Sequence, residues 1–410
     1  MHRYNTERSK MPKEFKIAQI SDCHLGYRSG QFRDVETGIN LREQDGYNAL
    51  EKAIDEIVEA KPDVVICSGD MFHSPKPSIY TIIQCKRILQ KLVKAGIPFY
   101  NIAGNHDAED SIREIPANAV IDEPLLNLYS YTEPYVVVEI APGIVCHFVS
   151  HHGFIAQQET MKQLKTIKGK FNILVTHGSV YDTNMNMILH SESEPREIVI
   201  PEEIMNMDWD YTLMGHIHER GWVSSTDGLT DTSNRKQFYG GSLIRRGFSD
   251  KECKLGRGWT MWTIKDNKEM TPEFHIIEER LQKDIIIQCK DKTTLQIEQQ
   301  IAKEFKKIDF TQTPILRVTL VNISKQNKTA LDMSKFREDI QKCLTFGMKY
   351  KITEEVEASD SQRASFSYDL HSAYRAFWDI DKENYTEDVQ EPINKESVSL
   401  LNKGQEKIIK

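Results

Sequence analysis

The stretch DVVICSGDMFH (63–73) decides the fold class predicted for this chain. Its first six residues form a short apolar run before a glycine, a pattern typical of a buried strand. Asp70 and His73 follow at the point where that strand would end. Strand ends usually hold small or polar turn residues, whereas carboxylate and imidazole groups are metal ligands. The stretch therefore predicts a buried strand that delivers chemical groups to the edge of a sheet.

The surrounding sequence repeats this strand-then-helix order over about the first 280 residues. FKIAQIS (15–21) and IPFYNIA (97–103) predict further strands, and apolar positions over 50–58 and 79–93 have helical spacing. This βαβαβ order predicts a parallel sheet with helices packed on it. A β-rich half follows, with predicted strands at YVVVEI (135–140), IVCHFVS (144–150), FNILVT (171–176), DYTLM (210–214), QFYGGS (237–242) and WTMWTI (259–264).

After about residue 280 the alternation starts again on a smaller scale. The strands predicted there are DIIIQCK (284–290), PILRVTLVNI (314–323) and MKYKITEEV (348–356), separated by helical patterns over 293–307 and 332–343. Beyond residue 358 the regular strand pattern is lost. An aromatic cluster, AYRAFW (373–378), remains in that tail.

The composition is that of a globular protein with a substantial core, because 39% of the 410 residues are apolar and 28% are charged. No run of about 18 or more apolar residues occurs, so we expect no membrane span. The polar N-terminus, MHRYNTERSKMPKE, does not resemble a secretory signal. Seven cysteines without a CxxC pair indicate neither a disulfide framework nor a thiolate zinc site. We therefore expect a cytoplasmic protein, in the host cytoplasm if the chain is viral.

The charges are unevenly distributed along the C-terminal part. The net charge is −8, but residues 281–350 hold 13 Lys and Arg against 8 Asp and Glu, whereas residues 351–410 hold 8 against 13. Two ordinary solvated surfaces would explain this pattern. A basic segment that contacts a polyanion would explain it as well.

Five short motifs place metal-binding side chains directly after predicted strands. They are SDCHLG (21–26), GDMFH (69–73), GNHD (104–107), THG (176–178) and GHIH (215–218). A single histidine at a strand end is an ordinary residue, but loops at the carboxyl ends of parallel strands converge, so five such motifs predict one cluster. Imidazole, carboxylate and amide oxygen without thiolate suit Mn²⁺, Fe or Zn²⁺. A shared carboxylate would hold two such ions roughly 3.5–4 Å apart, the spacing used to hydrolyse phosphate esters.

The order of these motifs resembles the calcineurin-like metallophosphoesterase superfamily. Within it, DxHLG, GDxFH and GSLIRRGFSD (241–250) are most similar to the SbcD-type DNA double-strand-break repair nucleases. The resemblance implies an α/β fold, a four-layer α-β-β-α metallophosphoesterase sandwich followed by a small α+β cap domain and a helical C-terminal tail. The predicted regions are a disordered extension over 1–13, a nuclease domain over 14–280, a DNA-binding cap domain over 281–357 and an ATPase-binding helical tail over 358–410.

The resemblance also implies how the cluster is divided between two ions. It implies a first ion held by Asp22, His24, Asp70 and His218, and a second held by Asp70, Asn105, His177 and His216, with Asp70 bridging.

Three further residues have implied roles in catalysis. His106 resembles the family's catalytic histidine, which assists the leaving oxygen, and Asp107 would orient its ring. An imidazolium that is not bound to a metal can give a proton to a departing alkoxide. His73 resembles a histidine associated with exonuclease activity, although simple packing beside the metal ions explains it equally well.

Other conspicuous residues leave their alternatives open. His151 and His152 either contact substrate or belong to the structure of a loop. Arg245 and Arg246 either bind a phosphate backbone or are solvated at the surface. Cys23 lies between two predicted ligands, but neighbouring residues on an extended segment point to opposite sides, so we predict that its thiol packs away from the ions.

The resemblance implies a two-metal nuclease with Mn²⁺ as the preferred metal. Such enzymes degrade duplex ends in the 3′→5′ direction as double-strand exonucleases and cut single strands or hairpins as endonucleases. The implied partners are DNA, an SbcC-like ABC-type ATPase bound by the tail, and a second copy of the chain. Two alternatives remain open. One is a small-molecule or cyclic-nucleotide phosphodiesterase on the same scaffold, and the other is an inactive scaffold that recruits a partner.

Overall fold

A computed structural model of the chain describes residues 11–30, 32–180, 198–223, 236–248 and 256–352. The predicted tail over 358–410, with its aromatic cluster, lies outside the described residues, as does most of the predicted extension over 1–13. The residues Met1–Thr353 form one compact unit, which contains both the predicted nuclease domain and nearly all of the predicted cap.

The described residues contain fifteen strands arranged in three sheets. In chain order they are β1 (Glu14–Ile20), β2 (Val64–Cys67), β3 (Phe99–Ile102), β4 (Leu128–Tyr131), β5 (Tyr135–Ala141), β6 (Ile144–Val149), β7 (Phe171–His177), β8 (Tyr211–Gly215), β9 (Gly221–Trp222), β10 (Gln237–Tyr239), β11 (Arg257–Lys265), β12 (Met270–Ile277), β13 (Gln282–Gln288), β14 (Ile315–Ile323) and β15 (Thr345–Ile352). The first sheet has the order β12-β11-β1-β2-β3-β4, the second β5-β6-β7-β8-β10-β9 and the third β13-β14-β15.

Helices cover the outer faces of these sheets. The α-helices of the described residues are α1 (Leu41–Ala60), α2 (Ile79–Ala95), α3 (His151–Ile155), α4 (Gln157–Gln163), α5 (Glu202–Met205), α6 (Thr294–Phe305), α7 (Lys325–Ala330) and α8 (Arg337–Lys342). Short 3-10 helices span Ala117–Ile121, Pro124–Leu126, Phe310–Gln312 and Met333–Phe336.

The two long helices begin and end at residues suited to those positions. Asn40 precedes α1 and its side chain accepts hydrogen bonds from the next backbone N–H groups, while Ser78 does the same for α2. Gly96 ends α2 with a left-handed φ of 70°, a conformation that glycine adopts without steric strain. Helix α1 begins at Leu41, nine residues before the apolar pattern that starts at Leu50. The pattern does not show this start because the first turns of the helix are polar.

Three apolar layers hold the first two sheets and their helices together. One lies between the sheets and includes Ile17, Ile66 and Ile173, all fully buried. A second joins the first sheet to α1 and α2, and a third covers the outer face of the second sheet with α5. This arrangement confirms the predicted four-layer α-β-β-α sandwich.

The strands with a strong apolar pattern in the sequence have the predicted directions. β1, β2 and β3 are parallel, and β5 pairs antiparallel with β6 as the predicted hairpin. β4 and β12 at the edges of the first sheet were not predicted. β4 has only four residues, and β12 contains a proline, so neither shows a strong strand pattern.

The third sheet forms the small unit predicted after residue 280. Its strands are all parallel, and α6 packs on one face through Ile297 and Ile301 against Ile285 and Leu320. The second crossover differs from the single helix predicted over 332–343, since it contains α7, a 3-10 turn and α8. We call this sheet and its helices the cap sheet.

Two composition-based expectations can be compared with the described residues. The six cysteines they contain are all free and buried, in agreement with the prediction of no disulfide framework. None of the helices in these ranges is long and apolar enough to cross a lipid bilayer.

Candidate metal centre

The five motifs meet at one edge of the sandwich, where β1, β2 and β3 of the first sheet and β7 and β8 of the second sheet end. The parallel pairing of β1 and β2 continues beyond both strands. Asp22 donates from its backbone N to the Gly69 carbonyl oxygen at 3.1 Å, and His24 donates to that of Asp70 at 2.9 Å. The SDCHLG and GDMFH loops are therefore held side by side by their backbones.

Several predicted ligands have an uncommon backbone conformation. Asp22, His24, Asp70 and His216 have φ values of 49°, 44°, 53° and 94°. Residues other than glycine rarely adopt positive φ, at a cost of about 1–3 kcal/mol each, and they do so mainly at functional sites. The strand ends thus turn these side chains into one pocket at the expense of local strain.

Glycines in two of the motifs make room for the side chains of other motifs. A Cβ atom on Gly69 would lie 2.5 Å from Nδ1 of His177, and a Cβ atom on Gly104 would collide with the Asp70 carboxylate. Gly69 also has a φ of 97°, a backbone conformation that residues with a Cβ atom rarely adopt. The glycines of GDMFH and GNHD are therefore required by close packing around the pocket.

His177 has surroundings that fit a cation. Its Nδ1 lies 2.8 Å from the Ser68 carbonyl oxygen, which can only accept, so this nitrogen carries a hydrogen. Its Nε2 lies 3.2 Å from Oδ2 of Asp70 and 3.0 Å from Oδ1 of Asn105. A neutral ring would direct a lone pair at two acceptors, so this position calls for a proton or a metal ion. Oδ1 of Asn105 also lies 3.1 Å from Nδ1 of His216.

Asp22, His24 and His218 form the other side of the pocket. The Nε2 atoms of His24 and His218 are 3.0 Å apart. Oδ2 of Asp70 lies 3.6 Å from Nε2 of His24, so the same carboxylate oxygen stands between imidazoles on both sides of the pocket. Asp22 is held by a hydrogen bond of 2.5 Å from the Ser21 hydroxyl.

All seven predicted ligands are thus brought together, and the donor set fits divalent cations. Candidate ligand atoms lie within 4.8 Å of one another in three groups: Asp22, His24 and His218; Asp22, Asp70 and His177; and His24, His73 and His106. Oxygen and imidazole donors without thiolate suit Mn²⁺, Fe or Zn²⁺. The chain's residues could therefore hold two ions, with Asp70 between them.

The two sides of the pocket differ in their electrostatics. Burial and the nearby Arg246 guanidinium hold the pKa of His24 well below its usual range, and burial and Arg246 do the same for His218. Burial would also lower the pKa of His177, but Asp70 outweighs it and raises that pKa to about 10. Burial raises the pKa of Asp22 to about 6. Two neutral imidazoles on one side thus face a charged pair on the other.

His106 lies at the rim of the pocket beside His73. Nδ1 of His106 lies 2.9 Å from the His73 carbonyl oxygen, which can only accept, so this nitrogen carries a hydrogen. The two rings stack with centroids 5.2 Å apart. His73 therefore positions His106 through its backbone and through its ring, in addition to any contact it makes with a substrate.

The role expected of Asp107 needs correction. Its fully buried carboxylate accepts backbone hydrogen bonds from Met71 at 3.2 Å, from Phe72 at 2.8 Å and from Gly104 at 3.0 Å. It therefore joins the GNHD loop to the GDMFH loop and does not orient the His106 ring. The sequence could not reveal this, because a carboxylate next to a histidine equally suits either partner.

The other residues noted in the sequence, among them His151, His152, Arg245 and Cys23, differ in what they contact. His151 and His152 are buried at the start of α3, and Nε2 of His152 lies 3.2 Å from the Glu109 carbonyl oxygen, next to the GNHD loop. Neither is part of a candidate metal group among the described residues. Arg245 pairs with Glu279 at 2.7 Å and is not a solvated surface residue. Cys23 packs in the apolar layer under α1 and α2, as predicted.

Two supporting residues were not identified from the sequence. Gln19 donates from Nε2 to the Ser68 hydroxyl at 3.1 Å and to the Met214 carbonyl oxygen of β8 at 3.3 Å, so it links the first sheet to the second below the pocket. Ser21 holds Asp22. A polar residue within the apolar strand FKIAQIS was the one available signal for Gln19.

Comparison with known families and solved structures shows what the chain is similar to. The family model described as calcineurin-like phosphoesterase matches residues 15–220, which is half of the chain. These residues include all five motifs. Among solved structures, a dimetal phosphatase from Danio rerio aligns at 12% identity with a TM-score of 0.37, covering 63% of this chain and 95% of that chain.

Several curated proteins similar to the chain are named DNA double-strand break repair protein Mre11. That of Saccharolobus solfataricus is 29% identical over 221 residues, which cover 52% of this chain and 52% of the relative. That of Methanococcus maripaludis is 29% identical over 219 residues, covering 52% and 54%. That of Methanocaldococcus jannaschii is 25% identical over 286 residues, covering 67% and 70%. The chain thus spans about half the length of the first two relatives.

Proposed function

Because the chain belongs to the calcineurin-like phosphoesterase family, we propose that it is a metal-dependent DNA nuclease of the SbcD-like type. The observation that carries this proposal is the convergence of five strand-end motifs on one pocket, where candidate ligand atoms form three overlapping groups of three residues, each within 4.8 Å. The names of the curated relatives support DNA repair as the setting. The activity would be that of a double-strand exonuclease and a single-strand endonuclease that acts in repair, recombination or replication.

The proposed site uses the ligands in two sets that share Asp70. One set is Asp22, His24, Asp70 and His218, and the other is Asp70, Asn105, His177 and His216. Two divalent ions, preferably Mn²⁺, would activate a water molecule and neutralise the phosphate oxygens. The position of one Asp70 oxygen, 3.6 Å from His24 and 3.2 Å from His177, supports its bridging role.

His106 is the proposed general acid for the leaving oxygen. Its Nδ1 donates to the His73 carbonyl oxygen at 2.9 Å, so the doubly protonated ring would carry its second proton on Nε2 and could give it to the leaving oxygen. The ring centroids of His106 and His24 are 4.7 Å apart, which supports a position of His106 beside the proposed ions. His73 and Asp107 would act indirectly, since they fix the backbone and the ring around this histidine.

The cap sheet is the proposed DNA-binding element. It follows the family domain, and the segment 281–350 carries 13 Lys and Arg against 8 Asp and Glu. Gln282 of β13 and Arg317 of β14 donate hydrogen bonds to Gly247 and Phe248 in the loop that follows β10, next to Arg246 at the pocket. Basic side chains beside a cleft would bind phosphates of DNA without reading its sequence.

A homodimer is proposed from an exposed apolar face on α2 and the nearby segment. Ile79 and Ile83 lie one turn apart on α2 and are 77% and 55% exposed, and Ile115 is 81% exposed. Two copies of such a face would bury each other's apolar area. Light scattering should show a dimer for the wild type and a monomer for Ile83→Glu, and a wild-type monomer would contradict the proposal. The SbcC-like ABC-type ATPase remains a proposed partner of the tail.

A cleavage assay tests the nuclease proposal. End-labelled duplex DNA and circular single-stranded DNA would be incubated with the protein and Mn²⁺, with and without the ATPase, and with Asp70→Asn as the inactive control. We expect metal-dependent shortening of the duplex from its 3′ ends and nicking of the circle. Intact DNA under all conditions would contradict the proposal. Turnover of bis-p-nitrophenyl phosphate without DNA affinity would favour a small-molecule phosphodiesterase instead.

A further inference from the structure

Arg246 brings a permanent positive charge to one side of the metal centre. Its Nη1 lies 3.1 Å from Nε2 of His24 and 3.5 Å from Nε2 of His218. Its guanidinium carbon lies 5.1 Å from the centroid of the Tyr27 ring. The side chain therefore reaches the edge of the pocket where two of the proposed ligands stand.

The preceding residue, Arg245, has a different role that fixes the backbone next to Arg246. Arg245 donates from its backbone N to Glu279 at 3.0 Å, and its side chain pairs with the same carboxylate. Its carbonyl oxygen accepts a hydrogen bond from Arg42. Arg245 is thus an anchor, and the adjacent Arg246 is turned toward the pocket.

The residues after Arg246 are held by the cap sheet. Gln282 of β13 donates from Nε2 to the Gly247 carbonyl oxygen at 2.5 Å. Arg317 of β14 donates to the Phe248 carbonyl oxygen at 3.2 Å, and its guanidinium lies over the Phe248 ring. Since the backbone is fixed on both sides of it, Arg246 projects from a supported position and not from a free loop.

Charge decides which ligand this position suits. Divalent ions held by these ligands would repel the positively charged guanidinium. An anion that contacts the ions and the guanidinium would offset that repulsion. A guanidinium offers parallel N–H donors that match two oxygens of a phosphate. The Nε2 atoms of His24 and His218 that Arg246 approaches belong to proposed ligands, so the guanidinium stands within reach of a group that ions at this site would bind.

We propose that Arg246 binds the two non-bridging oxygens of the substrate phosphate at the edge of the metal centre, and that Gln282 of the cap sheet positions it. This rests on the proposed phosphodiesterase activity. The cap sheet would then contribute to the catalytic pocket itself and not only to the surface around it. The expected ligand of Arg246 is a phosphate diester or inorganic phosphate.

The test compares Arg246→Gln with Arg246→Lys and with the matched control Arg33→Gln. Arg33 is an exposed arginine that donates to the Gly38 carbonyl oxygen. The measurements are the KM for bis-p-nitrophenyl phosphate with Mn²⁺, the inhibition constant of inorganic phosphate, the number of Mn²⁺ ions bound and the thermal unfolding midpoint. We expect Arg246→Gln to raise both the KM and the inhibition constant at least about tenfold, because a charge-assisted hydrogen bond is lost. The Lys variant should be intermediate, and the control and the bound Mn²⁺ should be unchanged.

Unchanged phosphate inhibition in Arg246→Gln would overturn the inference. If this variant also binds Mn²⁺ more tightly, Arg246 only occupies the pocket when the metal is absent. If Arg246→Gln unfolds, Arg246→Lys decides, since wild-type inhibition by phosphate in a folded variant with only a point charge would contradict bidentate binding. A wild type without Mn²⁺-dependent hydrolysis would instead contradict the proposed function. The two failures are therefore distinguishable.

A double-mutant cycle tests the positioning role of Gln282. Gln282→Leu removes the donor to the Gly247 carbonyl oxygen but keeps the Arg246 side chain itself unchanged. We expect weaker phosphate inhibition with an unchanged number of Mn²⁺ ions, and no further weakening when Gln282→Leu is added to Arg246→Gln. Additive effects of the two substitutions would contradict a role that acts through Arg246.

Discussion

The metal centre and the cap sheet both rest on parallel strands, but those strands deliver different things. In the cap sheet, Ile285, Val318 and Leu320 lie on one face and pack under α6, with ordinary backbone conformations. In the metal centre, Asp22 and Asp70 are buried with positive φ at the ends of β1 and β2. One region lowers the free energy of the fold by burying apolar area, whereas the other holds strain and buried charge.

This difference indicates how the molecule tolerates its functional site. Burying an unpaired carboxylate is unfavourable, and a positive φ adds strain. The apolar layers on both sides of the first sheet hold the strand ends in place, so that the pocket keeps a geometry that its own side chains would not choose. Substitutions in the two regions should therefore separate activity from stability.

The largest expected effect is on catalysis in the metal centre. His106→Gln should lower the rate of bis-p-nitrophenyl phosphate hydrolysis by about 10²–10⁴-fold, because the proposed general acid is removed. Two Mn²⁺ ions should remain bound, and the unfolding midpoint should not change. His275→Gln is the matched control, since His275 stacks on Trp259 with ring centroids 4.0 Å apart in the outer strand β12. Loss of Mn²⁺ together with activity would mean that His106 is a ligand.

The next effect is on stability in the cap sheet. Leu320→Ala should lower the free energy of unfolding by about 2–5 kcal/mol, because it removes a fully buried side chain and leaves a cavity. Leu295→Ala is the control, since Leu295 is 61% exposed on α6 and should have little effect. Urea denaturation measures both. Equal losses for the two variants would show that the cap sheet is not packed as described.

The metal centre should also respond to pH, by a smaller amount. The pKa of His177 is raised to about 10, because Asp70 outweighs the effect of burial. A raised pKa contributes stability to the metal-free protein that is complete below the ordinary value of about 6.5 and is lost as the pH rises toward 10. Mn²⁺ binding to the folded protein has to displace the same proton, so its affinity should increase by up to about tenfold per pH unit until the pH approaches 10. Titrations of Mn²⁺ at pH 6.5, 7.5 and 8.5 measure this, and an affinity that does not change with pH would contradict it.

The smallest effect concerns the start of α6 in the cap sheet. The Thr293 side chain accepts a hydrogen bond from the Gln296 backbone N, and the Gln296 side chain accepts one from the Thr293 backbone N at 2.9 Å. Thr293→Ala should lower the free energy of unfolding by about 1 kcal/mol, whereas Thr293→Ser should preserve it. A loss in the Ser variant as large as in the Ala variant would show that this capping box does not stabilise the helix.

Local sequence patterns were sufficient to predict the interior of the fold. β2, β7 and β8 are apolar runs that end at ligand motifs, so their positions and their common edge could be predicted. The edge strands β4 and β12 are short or interrupted by proline, and their pairing depends on neighbours distant in the chain. The start of α1 was missed because its first turns are polar and lack the apolar spacing of the rest of the helix.

The candidate site was predictable in its members but not in all of their contacts. Residue types and spacing were enough to indicate that Asp70 and His177 would meet. The partner of Asp107 and the difference between Arg245 and Arg246 depend on how loops from separate strands pack, which spacing does not encode. Such contacts become visible only when the whole sandwich is assembled.

The number of Mn²⁺ ions bound per chain tests the central claim most directly. Equilibrium binding monitored by Mn²⁺ electron paramagnetic resonance would be measured for the wild type, for Asp70→Asn and for the exposed control Asp309→Asn. If Asp70 joins two ions in one pocket, the wild type and the control bind two ions with magnetic coupling between them, and Asp70→Asn loses the coupling and at least one ion. Two uncoupled ions in the wild type, or an unchanged pair in Asp70→Asn, would contradict the account.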